Sequence, residues 1–131
     1  MKLIFVLLLI TFEAQCLISS KNLKLHADFC IERYGLDEIE ILKIHNSDNL
    51  STDNSNYLIF IVCYWKRIGY LSRNGELNFS AIWQTYFEAY RKRFTYEESK
   101  KKLELLIAKC DNVNGNTPAL KAINMNICIT S

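Results

Sequence analysis

Apolar residues recur at helical rather than strand spacing through most of the chain, and the first apolar run stands apart from the others. Lys2 precedes residues 3–12, which are apolar except for Thr11. That run is too short to span a bilayer, which takes about 20 residues, but it suits the apolar core of a signal peptide. Ala14 and Cys16 are small residues two apart and place cleavage after Cys16, with a cut near Ser19 or Ser20 as the alternative. Residues 1–16 are therefore expected to be a signal peptide rather than a buried first helix, and residues 17–131 an exported domain.

Six helices are predicted in that domain. Leu23, Ala27, Cys30 and Tyr34 form one stripe, and Gly35 follows where a helix should end. Asp37 can cap a short second helix that buries Ile39 and Leu42, with Ile44 beside them. Residues 45–55 turn polar and read as a surface loop. Asn54 or Ser55 starts a third helix carrying Ile59, Phe60, Cys63 and Tyr64 and stopping at Gly69. Residues 57–65 are apolar on all sides, so this helix is expected to be fully buried at the centre. Asn74-Gly75 signals a turn. Asn78 or Ser80 then caps a helix with Ile82, Trp83, Tyr86, Phe87 and Tyr90. Thr95 and Glu98 fit a capping box for a fifth helix bearing Leu103, Leu106, Ile107 and Cys110. Thr117-Pro118 opens a sixth, with Leu120, Ile123 and Ile127 before Cys128.

Removing residues 1–16 leaves about 115 residues, enough for one domain with a modest core. The full chain carries a formal charge of +2, and its one basic cluster, residues 91–93, reads as a solvated helix end, so no nucleic-acid partner is expected. No second run reaches membrane length, and the product is expected to be soluble once the signal is removed. Cleavage also takes away one of five cysteines. The remaining Cys30, Cys63, Cys110 and Cys128 should pair in an oxidising compartment, and four cysteines allow three pairings.

This cysteine spacing resembles that of the insect odorant-binding proteins. Members of that family usually carry six cysteines, with three residues between the second and third and eight between each of the last three. Cys30, Cys63, Cys110 and Cys128 match the first, third, fourth and sixth. The second and fifth positions fall on Ile59 and Ala119, which are partners in the family, so one whole bridge is absent and no thiol is orphaned. That is the pattern of the Minus-C, four-cysteine type. The resemblance extends to residues 30–38, to Lys66 and Gly69 after Cys63, and to Asn74-Gly75-Glu76-Leu77.

The resemblance implies an all-α fold: a compact six-helix bundle stapled by two disulfides, Cys30–Cys63 and Cys110–Cys128, around an apolar cavity. With the second family bridge gone, helices three and six are expected to be held by packing around Ile59 and Ala119, giving a deformable cavity. The implied function is a secreted carrier of odorants, pheromones or other small hydrophobic ligands. A chemosensory receptor would be the downstream partner and weak homodimerisation a further property. No cofactor, metal or catalytic residue is implied. Burying about 200 to 300 Å² of ligand would release roughly 5 to 8 kcal/mol before the cost of immobilisation, which fits micromolar capture. The expected wall comprises Phe60 and Tyr64 on helix three and Trp83, Tyr86 and Phe87 on helix four. Leu103, Leu106 and Ile107 on helix five and Ile123 and Ile127 on helix six complete it.

His26 and His45 read as surface histidines, with pH-triggered release as the alternative. Asn49 and Asn78 begin glycosylation sequons; Asn49 lies in the polar loop, whereas helix capping competes at Asn78. A lipase or phospholipase reading lacks a serine elbow, an HExxH motif and a histidine beside a cysteine pair. A helical venom, salivary or seminal protein acting on a receptor is the remaining alternative, since fold does not fix function.

Overall fold

The computed structural model describes residues 20–131; residues 1–16, read above as a signal peptide, lie outside them. The described residues form six helices: α1 (Ser20–Arg33), α2 (Glu38–His45), α3 (Ser55–Ile68), α4 (Phe79–Arg91), α5 (Tyr96–Cys110) and α6 (Pro118–Thr130). Disulfides join Cys30 of α1 to Cys63 of α3, and Cys110 of α5 to Cys128 of α6.

Local chemistry sets most boundaries. Asp37 Oδ1 accepts from the N–H groups of Ile39 and Glu40 and caps α2. Asn54, not Ser55, caps α3 through the Tyr57 N–H, and Asn78, not Ser80, caps α4 through the Ala81 N–H. At α5 the Thr95 hydroxyl accepts from the Glu98 N–H while the Glu98 carboxylate accepts from the Thr95 N–H, a complete capping box. Thr117 caps α6, with Pro118 in its first turn. α3 stops at Gly69 in the left-handed region at φ +90°, where the Tyr70 N–H reaches back to the Trp65 carbonyl.

α3 is the hub, packing against α1, α2 and α6, while α5 packs against α4 and α6. It is not buried all round. Tyr57, Phe60, Ile61, Tyr64 and Trp65 face inward, but Ile59 is 43% exposed. The expected anchoring of α3 to α6 around Ile59 therefore does not hold on the α3 side, although Ala119 is buried.

Two other helices are turned relative to expectation. In α2 the buried residue is Ile41, and Ile39 is 80% exposed, because two apolar stripes compete in this short helix and the one running through Ile41 and His45 meets α3. In α6 the buried set is Ala119, Ala122, Ile123, Met125 and Ile129, which leaves Ile127 on the flank at 43% exposure. Its two alanines let the helix approach closely, so the inward face is centred away from the bulkier Ile127. Tyr34 lies beyond the end of α1 and is exposed.

Between α3 and α4, a single antiparallel bridge pairs Leu71 with Leu77 around the turn at Gly75. Gly75 has φ +84°, and a Cβ there would lie 2.5 Å from Pro118 Cγ. Lys121 of α6 also pairs with Glu76 at 2.8 Å. The turn thus seats on the start of α6. Residues 91–93 are exposed, as expected of a helix end.

Candidate ligand-binding site

Tyr57, Phe60 and Tyr64 lie three and four residues apart on α3, which stacks them along one face. The rings of Phe60 and Tyr64 are stacked 5.4 Å apart at 14°. His45, at the end of α2, closes against this row: its Nδ1 lies 3.0 Å from the Tyr57 hydroxyl, and its ring meets Phe60 and Tyr64 edge-on at 5.6 and 5.7 Å. His45 is therefore not a surface histidine, and burial holds its imidazole down at about 4. Neutral at physiological pH, it belongs to the aromatic core. His26 is half-buried, and its Nδ1 accepts from Arg67 Nε at 3.2 Å.

α4 supplies the opposite side. Tyr86 and Tyr90 are one turn apart, both more than nine-tenths buried, with Ile82 and Ala89 on the same inward face. Tyr64 of α3 shares the buried core with Tyr86 and Tyr90, and Tyr70 of the linker packs against it, partly buried. Burial raises them all: Tyr57, Tyr64 and Tyr86 lie well above the usual phenol value, and Tyr70 and Tyr90 are pushed up to about 12. Each is a neutral hydroxyl that can donate.

Their partners differ. Tyr57 bonds His45, and Tyr70 interacts with the Thr85 hydroxyl, which offsets part of its shift. Tyr64, Tyr86 and Tyr90 lie in the core, 7%, 5% and 6% exposed. Among the described residues Ser99 Oγ is the only fully sealed side-chain polar atom without a hydrogen-bond partner.

A cleft of about 240 Å³ opens between α1, the end of α3 and α4. Leu23, Ile68 and Ala89 give it apolar walls, Tyr70 and Thr85 line it with hydroxyls, and exposed Glu88 and Lys92 stand at its rim. Tyr70, which lines this cleft, packs on its other side against the buried core. Among the described residues no group of three or more His, Cys, Asp or Glu side chains is placed to hold a metal ion.

Of the residues expected to form the cavity wall, Phe60, Tyr64, Tyr86, Leu106 and Ile123 lie in the buried core, and Trp83 and Leu103 pack against it half-buried. Phe87 and Ile107 are half-buried, Phe87 meeting exposed Tyr96 edge-on, and Ile127 is exposed. None of the ten lines the cleft. Sequence reasoning missed Tyr57, Tyr70, Tyr90, Thr85 and His45. The spacing of Tyr57 to Phe60 and of Tyr86 to Tyr90 could have revealed two of them; Tyr70 and Thr85 meet only in the fold.

The profile of the PBP/GOBP family, that of the insect odorant-binding proteins, matches residues 18–131. The chain belongs to this family. Comparison with curated proteins and with solved structures returns no match. Family members are small soluble ligand-binding proteins rather than enzymes, and the six helices and two disulfides agree with the family's helical bundle. Among the described residues no helix is long and apolar enough to cross a membrane.

Proposed function

We propose that this member of the PBP/GOBP family is a secreted, non-enzymatic carrier of a small hydrophobic ligand held in the interior between α3 and α4. The observation that carries this reading is the buried aromatic row of Tyr57, Phe60 and Tyr64 on α3, with Tyr86 and Tyr90 on α4, beside an apolar-walled cleft lined by Tyr70 and Thr85. The wall is formed by Phe60, Tyr64, Trp83, Tyr86, Leu103, Leu106 and Ile123, with the cleft at Tyr70 and Thr85 as its outer part. Phe87, Ile107 and Ile127 are left out because they lie at or near the surface.

Export rests on the pattern of residues 1–16 and on four paired cysteines. The pairing, with Ile59 and Ala119 at the positions of the missing bridge, fits the Minus-C type. A chemosensory receptor is the partner to which such a carrier would deliver its ligand. In the secretory pathway Asn49 is the favoured glycosylation site. It is exposed in the loop before α3, whereas Asn78 uses Oδ1 to cap α4 and Nδ2 to bond the Gly69 carbonyl.

A fluorescent apolar probe tests the reading. Saturable binding at one site per chain with a micromolar dissociation constant, reversed by an unlabelled apolar competitor, is expected. An absence of saturable binding would leave the protein to act through its surface, as a receptor-directed secretory protein would.

A further inference from the structure

Asparagine is followed directly by glycine at Asn74-Gly75 and at Asn114-Gly115, and the fold treats the two pairs differently. Gly75 is buried in the turn between Leu71 and Leu77, where its N–H donates to the Ser72 carbonyl at 2.9 Å. Gly115 lies in the loop between α5 and α6, and its N–H donates to Oδ1 of the Asn114 side chain at 2.8 Å. That contact sets the Gly115 nitrogen beside Cγ, the carbon that carries Oδ1, and these are the two atoms that must join when an asparagine side chain cyclises. Asn114 is exposed, so water and solvent base reach it. Packing requires the glycine: a Cβ on residue 115 would lie 2.8 Å from the Leu120 carbonyl carbon and from the Lys121 nitrogen. The close approach of the loop to α6 thus places beside Asn114 the one residue with no side chain to shield the reacting nitrogen.

We infer that Asn114 is a site of spontaneous deamidation in the folded protein, in preference to Asn74, and that its conversion loosens the loop from α6. The Gly115 nitrogen gives its proton to solvent base and attacks Cγ of Asn114; the Cγ–Nδ2 bond breaks, and Nδ2 leaves as ammonia with a proton from water. Water then opens the cyclic imide at either carbonyl, giving aspartate or isoaspartate. Both products carry a carboxylate where the neutral amide stood. The loop is clasped to α6 at this residue, because Asn124 Nδ2 donates to the Asn114 backbone carbonyl at 2.8 Å. In isoaspartate that carbonyl becomes the free carboxylate and the main chain detours through Cβ and Cγ, so the clasp and the tight seat of Gly115 against α6 are both lost. Asn74 is held back because the Gly75 N–H must first break from Ser72, inside a turn braced by the Leu71–Leu77 bridge and by Pro118.

The test incubates the purified disulfide-bonded protein at mildly alkaline pH, digests samples at intervals, and follows both asparagines by mass spectrometry with fragmentation that separates aspartate from isoaspartate. Asn114 is expected to convert about 10-fold faster than Asn74 in the folded protein, the factor that breaking one hydrogen bond imposes, and the two are expected to convert alike in the reduced, urea-unfolded chain. Asn74 converting as fast as Asn114 in the folded protein overturns the inference, as does an Asn114 that stays intact while the unfolded chain reacts. The converted protein, separated by its added negative charge, is expected to exchange the amides at the start of α6 faster than the unconverted protein, and equal exchange overturns the loosening of the loop. Asn114→Gln, whose longer side chain cannot close the same ring, is expected to remove the new charge variant; its persistence overturns the assignment. Because the comparison of Asn114 with Asn74 is made on the unaltered protein, it decides the matter even if the variant does not fold.

Discussion

His45 shows what a single side chain contributes when it is enclosed. Its imidazole is held at about 4 against an ordinary 6.5, so between those values the unfolded chain binds a proton that the folded chain refuses. The stability gained from keeping it neutral is whole above pH 6.5 and is lost as the pH falls towards 4, by about 3 kcal/mol in total. Urea unfolding across that window should therefore be steeper in pH for the native protein than for His45→Gln, and equal slopes would contradict the assignment. At Gly75 two constraints coincide, a positive φ and a Cβ that would strike Pro118. Gly75→Ala should cost about 2 to 4 kcal/mol, more than Gly69→Ala, where nothing lies within 4 Å and only the φ is strained. Thermal unfolding separates the two. The glycines were readable as stops and turns, but neither the Gly75–Pro118 contact nor the enclosure of His45 was, since each depends on residues distant in sequence.

At the scale of helices, the chain announces its starts better than its faces. Five caps predicted from Asp, Asn and Thr followed by an apolar run are present, because capping is a short-range exchange between a side chain and orphan backbone donors. Thr95→Ala should cost about 1 kcal/mol, and a matching loss for Lys101→Ala, in the middle of the same helix, would show that the cap is not the cause. Inward faces were harder to read. Ile39 and Ile127 are as apolar as Ile41 and Ile123, and only the placement of the neighbouring helices selects between stripes. The Cys110–Cys128 bridge closes an 18-residue separation and should contribute about 3 kcal/mol in the chain-entropy account. α6 is tied covalently to α5 but rests on α3 by packing alone, so its amides should exchange with solvent faster than those of α3. Equal protection in the two helices would count against a deformable interior.

The whole molecule is a hub helix with two stapled arms: α1 bound to α3, and α5 bound to α6, with α4 carried on α5. Buried tyrosines of α3 and α4, Tyr57, Tyr64, Tyr86 and Tyr90, lie in its core. Cysteine spacing made the bundle legible through its resemblance to the odorant-binding proteins, because four cysteines by themselves allow three pairings. The site was legible only in part. Tyr64 and Tyr86 stand out as aromatic residues on amphipathic helices, whereas the cleft at Tyr70 and Thr85 arises from the approach of α1 and α4. The account rests on a guest entering the interior between α3 and α4. Nuclear magnetic resonance titration of the labelled protein with a straight-chain methyl ketone tests this most directly. Saturable shifts concentrated on Tyr64, Tyr70, Thr85, Tyr86 and Tyr90 are predicted; shifts confined to exposed residues such as Leu105 and Ile39, or none at all, would contradict it.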